Sequence, residues 1–256
     1  MAAEFNLGTL NSNGTPAFAH HFVGNSDSSD TFSFKLASSG NINLALTGMS
    51  ADADVRLYRD FNGNGIVDSG DTQVGVSRRG SNSDESINIA DQGAGAYVAE
   101  VYQYSGDTNY DLRLSTTPSH ADPPSNLLAA ETEVGSLTSS QSFNDSLSNN
   151  DDSEFGDNIG TANIYHFVVN TAGNFSFNLT GLTADADIRL IQDSNGNRVV
   201  DPNTISPSGE VLGVSRHGDT LDESITQFLN PGNYFVQVYQ YANADINYNL
   251  TMTPVA

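Results

Sequence analysis

The feature that most constrains this sequence is an internal repeat with a period of about 135 residues. The run ADADVRL at 51–57 returns as ADADIRL at 184–190. Further matching pairs follow in the same order: GVSR at 75–78 and 213–216, DESI at 84–87 and 222–225, and VYQY at 101–104 and 238–241. Such a period is too long for a solenoid unit and suits a whole domain. We therefore predict two homologous domains in tandem, at 1–116 and 127–256, joined by a proline-containing linker at 117–126.

Apolar side chains alternate with polar ones in both halves of the repeat, as in half-buried β-strands. In the segment 40–46, for example, Ile42, Leu44 and Leu46 share one face. Clusters of Asn, Asp and Gly, which favour turns, separate such segments. No segment keeps the helical period over a useful length, so the pattern predicts an all-β protein.

A loop between two predicted strands has the oxygen spacing of an EF-hand calcium loop. In the twelve residues 60–71, called the first loop, side-chain oxygens fall at positions 1, 3, 5, 9 and 12, and position 7 offers a backbone carbonyl. These residues are Asp60, Asn62, Asn64, Asp68 and Asp71, with Ile66 at position 7. Gly65 at position 6 suits the sharp turn that lets the oxygens converge. The loop departs from the pattern at position 12, where Asp71 stands in place of the usual glutamate.

A metal-free turn is the competing interpretation of the first loop. Asn-Gly pairs favour tight hairpin turns, and Asp, Asn and Gly join strands in many proteins that bind no metal. A plain turn needs only a few such residues, however, and does not require oxygens at five set positions. We therefore expect calcium in the first loop.

The second half of the chain carries a degraded copy of this loop at 193–204, called the second loop. It keeps four side-chain oxygen positions and the backbone carbonyl position: Asp193, Asn195, Asn197 and Asp201, with Val199 at position 7. Position 6 is Arg198, which is less suited to the turn than glycine, and position 12 is Thr204. Glu210, in an insertion that follows, is a candidate for the missing carboxylate. We expect a weaker calcium site here, or none.

The charge of the chain narrows the choice of partners. There are 31 acidic residues against 9 basic ones, which gives a formal charge of −22 and a pI near 4.1. This field repels nucleic acid and anionic membrane surfaces and attracts divalent cations. Calcium ions are therefore the expected partners, and nucleic acid is not. No apolar segment approaches the length of a membrane span, so we expect no membrane insertion.

The chain contains no cysteine, which excludes disulfides and thiolate metal sites. This composition is compatible with a secreted bacterial protein. Residues 1–7 have neither a basic start nor an apolar core, so no signal peptide is visible. We expect a secreted, periplasmic or cell-surface location, and the missing signal leaves a cytoplasmic location open.

No group of residues indicates catalysis. The segments GVSRR at 75–79 and GVSRH at 213–217 approach a nucleophile elbow but lack its final glycine and its strand–turn–helix context. None of the five histidines recurs between the repeats, and no two have zinc-ligand spacing on a recognisable scaffold. We expect a protein that is not an enzyme.

The repeated motifs resemble a known family. The ADAD(V/I)RL run, the DESI segment and the closing pattern Gly-x-Tyr, Tyr-Gln-Tyr and Asn-Tyr-x-Leu are similar to the bacterial pre-peptidase C-terminal domain, in the form common in large cyanobacterial secreted proteins. The closing pattern begins at Gly95 in the first half and at Gly232 in the second. The resemblance covers most of both halves. It implies two tandem jelly-roll-like β-sandwich domains without a catalytic role, attached to secreted peptidases and adhesins.

The same resemblance implies a further calcium site. Family members that bind collagen hold calcium near their N-terminal edge with an Asp-x-x-Asp-x-aromatic segment. Residues 27–32 match this segment, with Asp27 and Asp30 at its acidic positions. The upstream acidic ligands of that site are not evident in this sequence.

Together these features predict a non-catalytic calcium-binding protein whose calcium is held by Asp- and Asn-rich loops between strands. One alternative is a secreted or surface module that binds a protein or polysaccharide, with calcium in a structural role. The other alternative is an intracellular calcium buffer or sensor. A ligand surface that forms on calcium binding would favour the module, whereas tight binding with little change of shape would favour the buffer.

Overall fold

The computed structural model describes residues 3–148, 160–201, 209–241 and 244–255. These residues form strands and connecting turns, with no helix among them, so the prediction of an all-β protein is confirmed. The same segments accordingly contain no helix long and apolar enough to cross a membrane. The chain divides into two compact units, the first reaching Ala129 and the second beginning at Ala130, with Gly160 assigned to the first.

The first unit is a sandwich of a five-stranded and a four-stranded sheet. Its strands are β1 (Phe5–Leu10), β2 (Ala17–Val23), β3 (Ser29–Leu36), β4 (Gly40–Thr47), β5 (Asp52–Asp60), β6 (Thr72–Ser77), β7 (Glu85–Gln92), β8 (Gly95–Ser105) and β9 (Thr108–Pro118). The sheets have the strand orders β1-β3-β8-β5-β6 and β2-β9-β4-β7. Strands β1 and β3 pair in parallel, and the other neighbours are antiparallel.

The second unit repeats this architecture strand for strand. Its strands are β10 (Thr132–Ser136), β11 (Gln141–Leu147), β12 (Ala162–Val169), β13 (Gly173–Thr180), β14 (Ala186–Ile191), β15 (Val211–Ser215), β16 (Glu223–Leu229), β17 (Gly232–Gln240) and β18 (Ile246–Val255). The sheet orders are β10-β12-β17-β14-β15 and β11-β18-β13-β16. The expectation of two tandem β-sandwich domains is confirmed.

Each sandwich encloses its own apolar core, built from the inward-facing side chains of both sheets. In the first unit, Phe32 and Phe34 of β3 pack with Ile42, Leu44 and Leu46 of β4, and all five are at most 1% exposed. Burying one such side chain contributes about 1.5–3 kcal/mol. The alternation of apolar and polar residues at 40–46 therefore identifies the side chains of β4 that face the core.

The outward face of β4 is buried as well, because the segment after β9 lies against it. The carbonyl of Pro124 accepts hydrogen bonds from Asn43 Nδ2 at 2.9 Å and from Thr117 Oγ1 at 2.7 Å. Such bonds satisfy backbone groups that packing removes from water. The structure thus differs from the predicted linker at 117–126, since this segment packs within the first unit, which extends to Ala129.

Candidate metal sites

The first loop joins β5 to β6. Arg59 pairs with Thr72 across this hairpin, and Asp60, the last residue of β5, is 3% exposed. The remaining residues of the loop are exposed or half-buried. The sheet therefore fixes one carboxylate at the base of a loop that is otherwise open to solvent.

Asp60 organises the turn by accepting backbone hydrogen bonds with both of its oxygens. Oδ1 accepts from Gly63 N at 2.7 Å, and Oδ2 accepts from Gly65 N at 2.8 Å. The φ angles of these glycines are +68° and +69°, a conformation that glycine adopts without steric cost. Gly65 therefore makes the sharp turn that was expected at position 6 of the loop.

The two asparagines and Asp68 form the middle of the first loop. Asn62 Oδ1 accepts from Asn64 N at 2.9 Å, and Asn64 Oδ1 accepts from Ile66 N at 2.7 Å. The side-chain amide nitrogens of both asparagines donate to Asp68 Oδ2, at 3.1 and 3.0 Å. The backbone N–H of Gly70, followed by these two amides, holds the pKa of Asp68 below its usual value.

Asp71 closes the loop. Its Oδ1 accepts from Phe61 N at 3.2 Å, and its Oδ2 accepts from Asp68 N at 3.0 Å. The five side chains selected by the spacing therefore belong to one hydrogen-bonded loop. Because amide and carboxylate oxygens each carry two lone pairs, an oxygen that accepts a single hydrogen bond can still coordinate a cation.

The second loop follows β14 and repeats most of these bonds at the same positions. One donor to the carboxylate at position 1 differs, since it is Gly63 N at position 4 in the first loop and Asn197 N at position 5 in the second. Asp193 accepts from Asn197 N at 3.2 Å and from Arg198 N at 2.9 Å. Asn195 and Asn197 each accept from the backbone N–H two residues further on, at 2.9 and 2.8 Å. Their amide nitrogens donate to Asp201 Oδ2 at 2.6 and 3.1 Å. The central part of the loop therefore has the same form in both units.

Arg198 takes the place of Gly65 in this second copy. Its φ is +58°, in the left-handed region where a side chain costs roughly 1–2 kcal/mol. The backbone N–H of Arg198 still donates to the carboxylate at position 1. The substitution therefore strains the turn but keeps the hydrogen bond from position 6 to the carboxylate at position 1.

Glu210 takes the place of Asp71. Its Oε1 accepts from Ser194 N at 2.8 Å, and its Oε2 accepts from Asp201 N at 2.9 Å. These donors occupy positions 2 and 9 of the loop, as do the donors to Asp71. Thr204, at position 12 by counting, lies outside the described residues. The closing carboxylate of the second loop thus comes from Glu210 in the insertion, later in the chain than counting predicts.

A separate group of carboxylates lies where β1 pairs with β3. Glu4, Asp27 and Asp30, called the carboxylate cluster, each place one oxygen within 4.8 Å of the others. Across the described segments, no other three acidic, His or Cys side chains form such a group. Like charges at this spacing repel one another unless a proton or a cation neutralises them.

Asp30 is the buried member of the cluster, at 3% exposure. The hydroxyl of Tyr110 donates to its Oδ2. Burial raises the pKa of Asp30, and the charges of Asp27 and Glu4 act in the same direction, against the hydrogen bond from Tyr110. An ionised Asp30 is therefore costly without a cation beside it.

Glu4 is the member that the sequence did not reveal. The parallel register sets Phe5 opposite Phe32, and Thr31 N donates to Glu4 Oε2 at 3.3 Å. The one signal for Glu4 in the sequence was its position just before a segment in which apolar and polar residues alternate. Such a residue indicates no site until the strand pairing is known, because its neighbours in the cluster are distant in sequence.

The second copy of the repeat replaces two of the three carboxylates. Glu131, Gly160 and Asn163 occupy the positions that correspond to the cluster. Asn163 Nδ2 donates to the hydroxyl of Tyr248 at 2.7 Å, whereas in the first unit the tyrosine donates to the carboxylate. Among the residues that the structure describes, the cluster is therefore found in the first unit.

Each unit also buries a glutamate at the start of its seventh strand. Glu85 and Glu223 are 0% exposed, and each accepts hydrogen bonds from a serine hydroxyl and a backbone N–H. Burial raises the pKa of Glu85 to about 8, and the charge of Asp54 acts in the same direction. These glutamates tie the preceding turn to the sheet, and within the described part of the chain neither belongs to a group of three carboxylates such as the cluster.

The fold and its repeats define a tandem all-β protein, and a sequence comparison identifies the family. The profile of the bacterial pre-peptidase C-terminal domain matches residues 28–103 and 161–240, together more than half of the chain. One match falls in each unit. The chain belongs to the bacterial pre-peptidase C-terminal domain family, which confirms the family that the repeated motifs indicated.

Several solved structures are similar to this chain at low identity. The pre-peptidase C-terminal domain of collagenase from Bacillus anthracis is 18% identical, with a TM-score of 0.34, over 48% of this chain and 93% of that one. PliG of Aeromonas hydrophila, a periplasmic inhibitor of g-type lysozyme, is 14% identical, with a TM-score of 0.28, over 48% and 95%. The CUB1-EGF-CUB2 region of human MASP-1/3 is 8% identical, with a TM-score of 0.28, over 93% and 99%. No curated protein matches the sequence.

Proposed function

We propose that this protein binds calcium without catalysing a reaction, using both loops, which are EF-hand-like, and the carboxylate cluster. The observation that carries the proposal is the equivalence of Asp71 and Glu210. A turn that only joins two strands needs no carboxylate at its close. The second loop nevertheless presents one to the same two backbone positions, from a residue of the insertion, later in the chain than position 12.

The chemistry of the donors supports calcium over softer metals. The loops offer carboxylate, amide and backbone carbonyl oxygens, which are the ligands that hard cations prefer. Ile66 and Val199 occupy the position from which an EF-hand loop supplies its backbone carbonyl. Glu210 also has the side chain that this type of loop usually carries at its last position.

The affinity of the loops is expected to be moderate. A cation in the first loop would compete with the amide groups of Asn62 and Asn64 for the lone pairs of Asp68. Each such hydrogen bond is worth about 0.5–1.5 kcal/mol net. We expect dissociation constants of about 10⁻⁴–10⁻³ M, as in extracellular calcium modules.

A cation in the carboxylate cluster would relieve the repulsion among Glu4, Asp27 and Asp30. It would also join β1 to the turn before β3, since Glu4 precedes β1 and Asp27 precedes β3. With one ion in each loop and one in the cluster, the chain would hold three calcium ions. This stoichiometry distinguishes the proposal from simple condensation of cations on an acidic surface.

The location that suits this function is secreted, periplasmic or at the cell surface. Moderate affinity is useful where calcium is abundant, as it is outside the cell. An intracellular buffer or sensor would instead require sites that fill at micromolar calcium or below. The affinity measurement therefore also separates these two settings.

Calorimetric titration of the chelator-treated chain tests the proposal. Asp60→Asn should abolish the site in the first loop, and Glu210→Gln should weaken the site in the second loop about tenfold or more, because each loses one carboxylate charge. Asp245→Asn, at an exposed position outside the loops and the cluster, removes the same charge as a control. All three variants keep a side-chain oxygen that can accept hydrogen bonds.

Two results would contradict the proposal. One is a wild-type chain that gives no binding heat at millimolar calcium and melts at the same temperature with calcium or chelator. The other is an Asp245→Asn variant that loses as much binding as Asp60→Asn and Glu210→Gln, because the ions would then be held by the general field of the protein.

A further inference from the structure

A cleft of about 370 Å³ lies beside the first loop in the first unit. Its walls come from β1, β3 and the loop itself. The polar side chains in these walls belong to Asn6, Thr9, Ser33, Lys35, Asp60 and Asn64. The volume falls in the range of about 300–1,000 Å³ that is usual for small-molecule sites.

Small residues keep this cleft open. A Cβ atom placed on Gly65 would stand 3.6 Å from the Cβ of Ser33, across one end of the cleft. In the second unit the corresponding residues are Arg198 and His166. The space between the strands and the loop is therefore bordered by residues of very different size in the two units.

The second unit packs large side chains at this place. The guanidinium carbon of Arg198 lies 5.3 Å from the ring centre of Phe235, and the His166 ring centre lies 4.9 Å from the same ring. His166 Nδ1 is also 2.6 Å from Glu133 Oε2. These stacked groups occupy the region that remains open in the first unit.

Lys35 is the single lysine of the 256 residues, and it lines the cleft. Its side chain is exposed, and within the described part of the chain it forms neither an ion pair nor a hydrogen bond. The residue at the corresponding position of the second unit is Val168. A cation without a protein partner, in a chain of charge −22, is available to pair with a negative group of a ligand.

We propose that this cleft binds a uronate residue of an acidic polysaccharide, with Lys35 paired to the carboxylate of the sugar. The amides of Asn6 and Asn64 and the hydroxyls of Thr9 and Ser33 both donate and accept hydrogen bonds, as the ring hydroxyls of a sugar require. Asn64 already bonds to Ile66 N and Asp68, Asn6 Oδ1 accepts from Gly8 N, and the Ser33 hydroxyl donates to the Phe5 carbonyl. The Nδ2 of Asn6 and the hydroxyl of Thr9 are therefore the groups most available to the hydroxyls of a sugar.

This inference rests on the proposed calcium in the first loop. Asp60 lines the cleft as well as the loop, and its negative charge opposes the approach of a uronate. Calcium bound to the loop would neutralise this charge. Binding of the sugar should therefore require calcium, which makes the cleft the ligand surface of a calcium-dependent module.

The test is an NMR titration of the calcium-saturated chain with trigalacturonate, followed through the backbone amide signals. Galactotriose provides the neutral control, and triglutamate provides the same charge without sugar hydroxyls. We expect trigalacturonate to shift signals of Lys35, Asn64 and their neighbours, and to bind about tenfold more tightly than either control. The tenfold ratio corresponds to about 1.4 kcal/mol.

Two variants localise the binding. Lys35→Met keeps a long side chain without its charge, and Gly65→Arg introduces the residue that the second loop accepts at the same position with φ of +58°. Both should weaken trigalacturonate binding about tenfold or more, and Lys35→Met should do so while calorimetry shows calcium binding unchanged. Arg198→Gly, the matched change in the second loop, should leave the binding of the sugar unchanged.

Equal binding of trigalacturonate by wild type and Lys35→Met would overturn the inference, and so would equal binding of galactotriose or triglutamate by the wild type. These results would leave the proposed function intact if calcium still binds. A wild-type chain that does not bind calcium in the first loop would instead overturn the proposed function. The two failures are therefore distinguishable.

Discussion

The two units keep the same loop but not the same carboxylate cluster. The loop is contiguous, and most of its bonds join residues two to five positions apart. It persists although position 6 changes from Gly65 to Arg198. The cluster joins three separate places in the chain, and the second unit keeps only one of its carboxylates. A local motif thus tolerates substitution, whereas a site assembled by strand pairing is lost through one or two changes.

The largest effect is expected from Asp30→Asn, which gives the first unit the amide that the second unit carries as Asn163. Loss of the buried charge should remove one of the three calcium ions, with affinity at the cluster falling about 100-fold or more, since a hard cation depends on carboxylate charge. Calcium stoichiometry by calorimetry measures this change. Glu131→Gln is the matched control in the second unit and should leave the stoichiometry unchanged.

If Asp30→Asn keeps all three ions, the carboxylate cluster is not a calcium site, and the difference between the units has no bearing on metal binding.

The next effect concerns two buried carboxylates of the first unit, Glu85 and Asp54. The pKa of Glu85 is raised from 4.5 to about 8, chiefly by burial, and that of Asp54 is raised to about 6, also chiefly by burial. In this window the folded state binds more protons than the unfolded state, so the free energy of unfolding should fall as the pH rises from about 4.5 to about 8. Each pKa unit corresponds to about 1.4 kcal/mol.

Thermal unfolding of the whole chain without calcium, at several pH values, measures this dependence. Glu85→Gln should flatten the decline, because the neutral amide does not titrate. A wild-type chain whose melting temperature rises steadily between pH 5 and 8 would show that these carboxylates are ionised in the folded state and would contradict the prediction.

The smallest effect is expected from Gly63→Ala and Gly196→Ala, at equivalent positions of the two loops. Their φ angles are +68° and +71°, and no atom lies within 4 Å of an added Cβ at either position. The cost should therefore be conformational alone, about 1 kcal/mol, and similar in both units. Denaturant unfolding measures it.

Gly80→Ala is the matched control for these variants, because Gly80 has the same open space without a positive φ. A cost at Gly80 equal to that at Gly63 would show that the loop conformation is not the cause.

Both candidate calcium loops could be found from the sequence because their ligands are close in the chain. The loop positions of Asp60, Asn62, Asn64 and Asp68 follow from counting, and so does the turn at Gly65. The closing carboxylate of the second loop was only a candidate, since counting led to Thr204. The place of Glu210 was decided by where the chain returns to form β15, because Glu210 immediately precedes that strand.

The sequence by itself determined the all-β class, the tandem repeat, the family and the core face of strands such as β4, because alternation and repetition are local properties of the chain. Tertiary structure alone decided that the segment 117–126 packs on β4, that Glu4 joins Asp27 and Asp30, and that Lys35 borders a cleft beside the first loop. These features depend on the register of strands that are distant in sequence. The periodicity of each strand shows which face is buried, but it does not show which strand becomes its neighbour.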